Sequence, residues 1–102
     1  MNKYTELSDF EVNKKVAEKS GLAYEVTRYG VVTRMSNKEQ WREFNPCNNP
    51  ADAMPIIIEN GISMVRVNNT WSARQFNNHC IEINGDNYYR IAMEVYLLMN
   101  GK

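Results

Sequence analysis

Apolar and polar positions divide the chain into helical and alternating stretches. Phe10, Val12, Val16 and Ala17 supply the buried side of a first helix, and Glu11, Lys15, Glu18 and Lys19 supply its solvated face. Glu11 and Lys15 stand four apart in the favourable order. The start is explicit. Ser8 can cap the amide of Glu11, Glu11 can reach back to Ser8, and Leu7 and Val12 flank the box as a hydrophobic staple. Gly21 is the expected left-handed stop. Residues 22–36 then alternate and read as a hairpin, with Leu22, Tyr24 and Val26 on one face and Val31, Val32, Thr33 and Met35 after Tyr29-Gly30. Residues 37–49 read as a polar loop, in which Trp41 and Phe44 require part of the segment to fold back onto the body.

A second helix starts at Asn49 as cap, with Pro50 at the first helical position and Asp52 near the positive helix end. It closes at Asn60-Gly61, and Pro55 should kink or loosen it. Residues 62–67 and 70–76 form a second hairpin across Asn68-Asn69, because asparagine tolerates the backbone that a two-residue turn needs. Residues 80–83 add a short strand. The last helix spans about residues 87–100, with Asp86 as its candidate cap and Gly101 as its stop. It is apolar almost all round, with only Asn87, Arg90 and Glu94 marking a polar strip. Such a helix is either the centre of the core or a subunit interface. In the second case a two-fold homo-oligomer would cover its outer side.

The order α-β-β-α-β-β-β-α predicts an α+β fold, with a mostly antiparallel sheet of four or five strands and three helices. Helices over both sheet faces would make a three-layer sandwich. At 102 residues the chain fits one domain, residues 1–102, and its 43% hydrophobic and 24% charged residues are ordinary for a globular protein. Twelve basic and twelve acidic side chains cancel, which gives no general pull toward duplex nucleic acid. No apolar run is long enough for a membrane span, and Met1-Asn2-Lys3-Tyr4 opens no signal-like segment, so a cytoplasmic setting is expected. In that setting Cys47 and Cys80 should stay reduced.

The chain lacks the phosphate-loop, dinucleotide and nucleophile-elbow motifs, and reads as non-enzymatic. His79, Cys80 and Cys47 are too few and wrongly spaced for zinc, and no cofactor is implied. A Cys47–His79 nucleophilic pair would need the two segments to meet. The remaining chemistry lies in the loop before the second helix. Trp41 offers a ring, Arg42 a charged fork, and Asn45, Asn48 and Asn49 uncharged donors and acceptors, next to a helix N-terminus that favours anions. Trp71 is a second ring that could stack on a base. The same residues also fit a plain structural role, with Trp41 and Phe44 closing the core and Asn48-Asn49 making a turn.

Two stretches, Phe44-Asn45-Pro46-Cys47-Asn48-Asn49-Pro50-Ala51-Asp52-Ala53-Met54-Pro55-Ile56-Ile57 and residues 7–17, resemble the small bacteriophage NinX-like proteins. Trp71 and the final helix containing Arg90-Ile91-Ala92-Met93 extend the likeness over nearly the whole chain. Met54 stands where that family often has tryptophan. The resemblance implies a phage or prophage accessory protein acting in the host cytoplasm, and brings no catalytic residues. Two functions fit it. One is counter-defence by binding and sequestering a small anionic or nucleotide-derived host ligand. The other is protein–protein inhibition or adaptation of a host or phage enzyme, which exposed aromatic and arginine side chains would serve.

Overall fold

The structure is a computed structural model that describes residues 3–75 and 80–100. Helix α1 (Asp9–Ser20) forms where its capping box predicts. Glu11 N–H donates to Ser8 Oγ, and Ser8 N–H donates to Glu11 Oε1, both at 3.1 Å. The C-terminal end closes at Gly21, whose φ of 75° suits glycine. Val12, Val16 and Ala17 are buried with Asn13, whereas Phe10 stands at the margin rather than in the core. Ser8→Ala should therefore cost about 1 kcal/mol in a urea titration. An unchanged midpoint would mean that the box contributes nothing.

Two short hairpins follow their helices. Strands β1 (Ala23–Thr27) and β2 (Gly30–Arg34) pair antiparallel, and β2 also pairs with β3 (Arg42–Glu43). Helix α2 (Pro50–Glu59) is capped by Asn49, whose Oδ1 accepts from Ala51 N–H at 3.0 Å. Pro55 is accommodated within the helix on its exposed side. Strands β4 (Ser63–Val67), β5 (Thr70–Gln75) and β6 (Ile81–Gly85) make a second antiparallel sheet. Helix α3 (Tyr88–Asn100) ends the described chain. Its cap is Asn87, not Asp86: Asn87 Oδ1 accepts from the N–H groups of Tyr89 and Arg90 at 3.0 Å. Asp86 instead accepts from the Thr70 hydroxyl.

The α+β class and the three helices stand, but the single sheet of four or five strands does not. There are two three-stranded sheets among the described residues. The extra strand, β3, is two residues long and lies inside the segment read as loop, so it has no alternation to betray it. The sheets are separate because the helices lie between them. Sheet β1-β2-β3 packs on α1, sheet β4-β5-β6 packs on α3, and α3 packs on both α1 and α2. Every residue from Ile91 to Leu97 is buried. The all-round apolar character of α3 is thus met within one chain. Gly85 allows the close approach of β6 to this helix, since a Cβ there would stand 2.8 Å from Ile91 Cγ2.

The chain also repeats itself. Two α-β-β-β units precede α3, with corresponding positions at a constant interval. Gly21 and Gly61 both follow a helix with positive φ, and the next residues, Leu22 and Ile62, donate back to the carbonyls of Ala17 and Ile57. The hairpin registers also correspond: Ala23 opposes Arg34 as Ser63 opposes Arg74, and Thr27 opposes Gly30 as Val67 opposes Thr70. Arg34 and Arg74 are therefore twins by position.

Candidate functional site

The asparagines of the 41–49 loop hold the fold together. Asn45 Oδ1 accepts from Asn13 Nδ2 at 2.9 Å and from Asn48 Nδ2 at 3.2 Å, while Asn45 N–H donates to Asp52 Oδ2 at 2.9 Å. Asn48 Nδ2 also donates to Asp9 Oδ2 at 3.0 Å, and Asn48 Oδ1 receives Asn87 Nδ2 at 3.4 Å. Asn13 Oδ1 accepts from Cys47 N–H at 3.1 Å. The starts of α1, α2 and α3 are thereby tied to one another. The first amides of α2 already have partners in the Asn49 side chain and carbonyl. The expected anion seat on that helix end is filled by the chain itself.

Arg90 completes this junction. Its side chain is largely buried and donates to Glu94 Oε2 and Asp9 Oδ1, each at 2.7 Å, and to the carbonyls of Tyr4 and Leu7. Desolvation pushes the Asp9 carboxyl up, but hydrogen bonds from Asn48 and Arg90 outweigh it and hold the group below its ordinary value. Cys47 is buried, and burial pushes its thiol up to about 12, so it is a poor source of thiolate. Cys80 is exposed, and His79 lies outside the described residues. No three His, Cys, Asp or Glu side chains cluster in a metal-like group among the described residues. No helix among them is long and apolar enough to cross a membrane.

Beside this junction opens a cleft of about 910 Å³, bounded by the end of α1, the end of β2, Glu39, Gln40, Arg42 and α2. Leu22, Phe44, Ile56 and Tyr96 contribute apolar lining, and Lys19, Arg34 and Arg42 contribute cations. Arg42 is 73% exposed and touches Asp52 Oδ1 only at 3.8 Å. Three acids, Glu39, Asp52 and Glu59, line the same cleft, and the first two are already engaged. Asp52 accepts from Asn45 N–H, and Glu39 Oε1 accepts from Met35 N–H at 2.9 Å. Arg34 lies over the Trp41 ring, 4.3 Å from its centroid. Its Nη2 has a long contact to Asn37 Oδ1 at 3.4 Å, and its Nε is buried with no hydrogen-bond partner. A buried, unpaired donor is uncommon and calls for an explanation.

The six residues expected to bind ligand are thus divided. Arg42 lines the cleft, and Trp41 adjoins it through Arg34. Asn45, Asn48 and Asn49 serve the junction and the α2 cap. Trp71 belongs to the other sheet, edge-on to Tyr88 at 4.9 Å and under Arg66 at 5.0 Å. The sequence reading missed Arg34. Its place beside Trp41 follows from the pairing of Thr33 with Arg42, on a strand with no alternation to mark it in the sequence. A second hollow, about 430 Å³, lies by the β1–β2 turn, where Tyr29 is exposed beside Asp9 and Glu43.

Comparison with known proteins gives one family. The model described as Bacteriophage P22, NinX matches residues 3–100. No curated protein matches the chain.

Proposed function

The chain belongs to the bacteriophage P22 NinX family, and we propose on that premise that it is a non-enzymatic accessory protein that binds a small anionic ligand in the cytoplasm of the infected host. Sequestration of a host nucleotide-derived molecule, as counter-defence, is the role such binding would serve. One observation carries the reading: a cleft of about 910 Å³ whose lining combines apolar side chains with Arg34, Arg42 and Lys19. Mixed lining of this kind suits a compact ligand with an apolar body and a charged end. Arg42 supplies an exposed planar fork for an oxyanion.

A protein-inhibitor reading has its own support. Met35 on the cleft and Ile58 on α2 are 75% and 71% exposed, and would be available as apolar anchors to a protein partner. Native mass spectrometry of the protein expressed in a bacterial host, together with calorimetric titration of the purified chain with a mononucleotide, separates the two. A retained small molecule, and mononucleotide binding weakened several-fold by Arg42→Gln at unchanged melting temperature, is the expected result. A stoichiometric co-purifying protein with no mononucleotide binding would overturn the ligand reading in favour of inhibition.

A further inference from the structure

We infer that Arg34, held on Trp41, is the principal anion contact of this cleft, and that the group it receives is the phosphate of a small phosphorylated molecule. The inference rests on the ligand-binding reading and deepens it. It comes from comparing Arg34 with its positional twin, Arg74.

Arg74 is a self-satisfied arginine. Its Nε donates to Ser72 Oγ at 3.0 Å, and its Nη2 stands 3.5 Å from Glu82 Oε2, on the strand opposite. In the first unit both partners are replaced. Val32 stands where the second unit has Ser72, Arg42 stands at the position of Glu82, and Trp41, one residue before it, covers the guanidinium. The ring attracts the cation through its face but accepts none of the in-plane N–H groups. Arg34 therefore keeps a fixed orientation, its full charge and most of its donors, and among the described residues no carboxylate stands within ion-pair distance of it.

The acceptor that fits is an oxyanion brought from outside. A guanidinium edge takes two oxygens side by side, as phosphate and carboxylate both present. Phosphate is favoured because Arg42 and Lys19 line the same cleft, and a dianion with three free oxygens can answer more than one of these cations. One face of Trp41 is already taken by Arg34, so the ring acts as a backing for the arginine more than as a platform for a base. Selection among phosphorylated molecules then falls to the apolar lining, with Leu22, Ile56 and Tyr96.

The test is titration of the full chain with inorganic pyrophosphate, followed by calorimetry, for the wild type and for Arg34→Gln, Arg34→Lys, Arg74→Gln and Trp41→Glu. Arg34→Gln should weaken binding by at least about tenfold, the scale of one charge-assisted contact. Arg34→Lys should fall between, because it keeps the charge and loses the fork. Arg74→Gln should leave binding within about twofold, as for a residue away from the site. Trp41→Glu places a carboxylate against the Arg34 guanidinium, so it should abolish binding without lowering the melting temperature. Equal weakening by Arg34→Gln and Arg74→Gln, or none by Arg34→Gln, would overturn the assignment. Binding lost in Arg42→Gln but kept in Arg34→Gln would leave the cleft reading intact and sink this one. A wild type that binds neither pyrophosphate nor a mononucleotide would sink both.

Discussion

Replacing Arg90 with alanine is expected to cost about 3–5 kcal/mol, the range for breaking a buried charge pair by removing one partner. The Arg90 side chain is 14% exposed and that of Glu94 is 7% exposed, so solvent can do little to replace the 2.7 Å contact between them. The same change strips the carbonyls of Tyr4 and Leu7 of a charged donor and frees Asp9 on α1. A domain of this size has only about 5–15 kcal/mol in total, so the variant should unfold at a much lower urea concentration. Arg90→Met combined with Glu94→Leu should be less damaging than Arg90→Ala alone, since no buried carboxylate is left without its guanidinium. The pH dependence follows from Asp9. Its folded-state value is lowered, so its stabilising contribution is present above the unfolded carboxylate value and is lost as pH falls through the folded one. That acid-side loss should shrink in Arg90→Ala. A small stability change on alanine substitution would mean that the three helix starts are not coupled through this side chain.

Leu97→Ala should cost about 2–5 kcal/mol, because a fully buried leucine leaves a cavity when its neighbours cannot close in. Leu97 lies on α3, the helix that packs against α1, α2 and the second sheet, so the room around it is fixed from several sides. Ile58→Ala is the matched control. That side chain is 71% exposed, and its truncation should stay within about 0.5 kcal/mol. The pair also distinguishes a central helix from a subunit face. For a central helix, the loss in Leu97→Ala is the same at every protein concentration. Were α3 an interface, the variant would mainly raise the concentration needed for association, and its melting temperature would depend on dilution.

Local chemistry made the helix boundaries legible. The Ser8–Glu11 box, the Asn49-Pro50 start and the glycines after α1 and α2 each act within a few residues, and each does what its residue type predicts. Strand partnership was harder. Alternation marks a strand but not its neighbour, so five strands read as one sheet became two sheets with helices between them. The short β3 pairs only Val32 with Glu43 and Thr33 with Arg42, and its polarity hid it. Arg90 read as part of a polar strip because its partners at Tyr4, Leu7 and Asp9 are distant in sequence. The loop asparagines looked available to a ligand for the same reason. Their partners, Asn13, Asp9 and Asn87, come from other helices, and side-chain amides are well suited to satisfying one another. Arg34 became visible only through its unfilled donor and its twin in the second unit.

The central claim is that the cleft between β2, β3 and α2 receives a small phosphorylated ligand. Backbone amide shifts of the isotopically labelled chain, followed while inorganic pyrophosphate is added to millimolar concentration, test it most directly. The account predicts saturable shifts confined to residues 19–22, 33–35, 39–44, 51–60 and 96, with the second sheet silent. Shifts spread evenly over exposed lysines and arginines, or none at all, would contradict it.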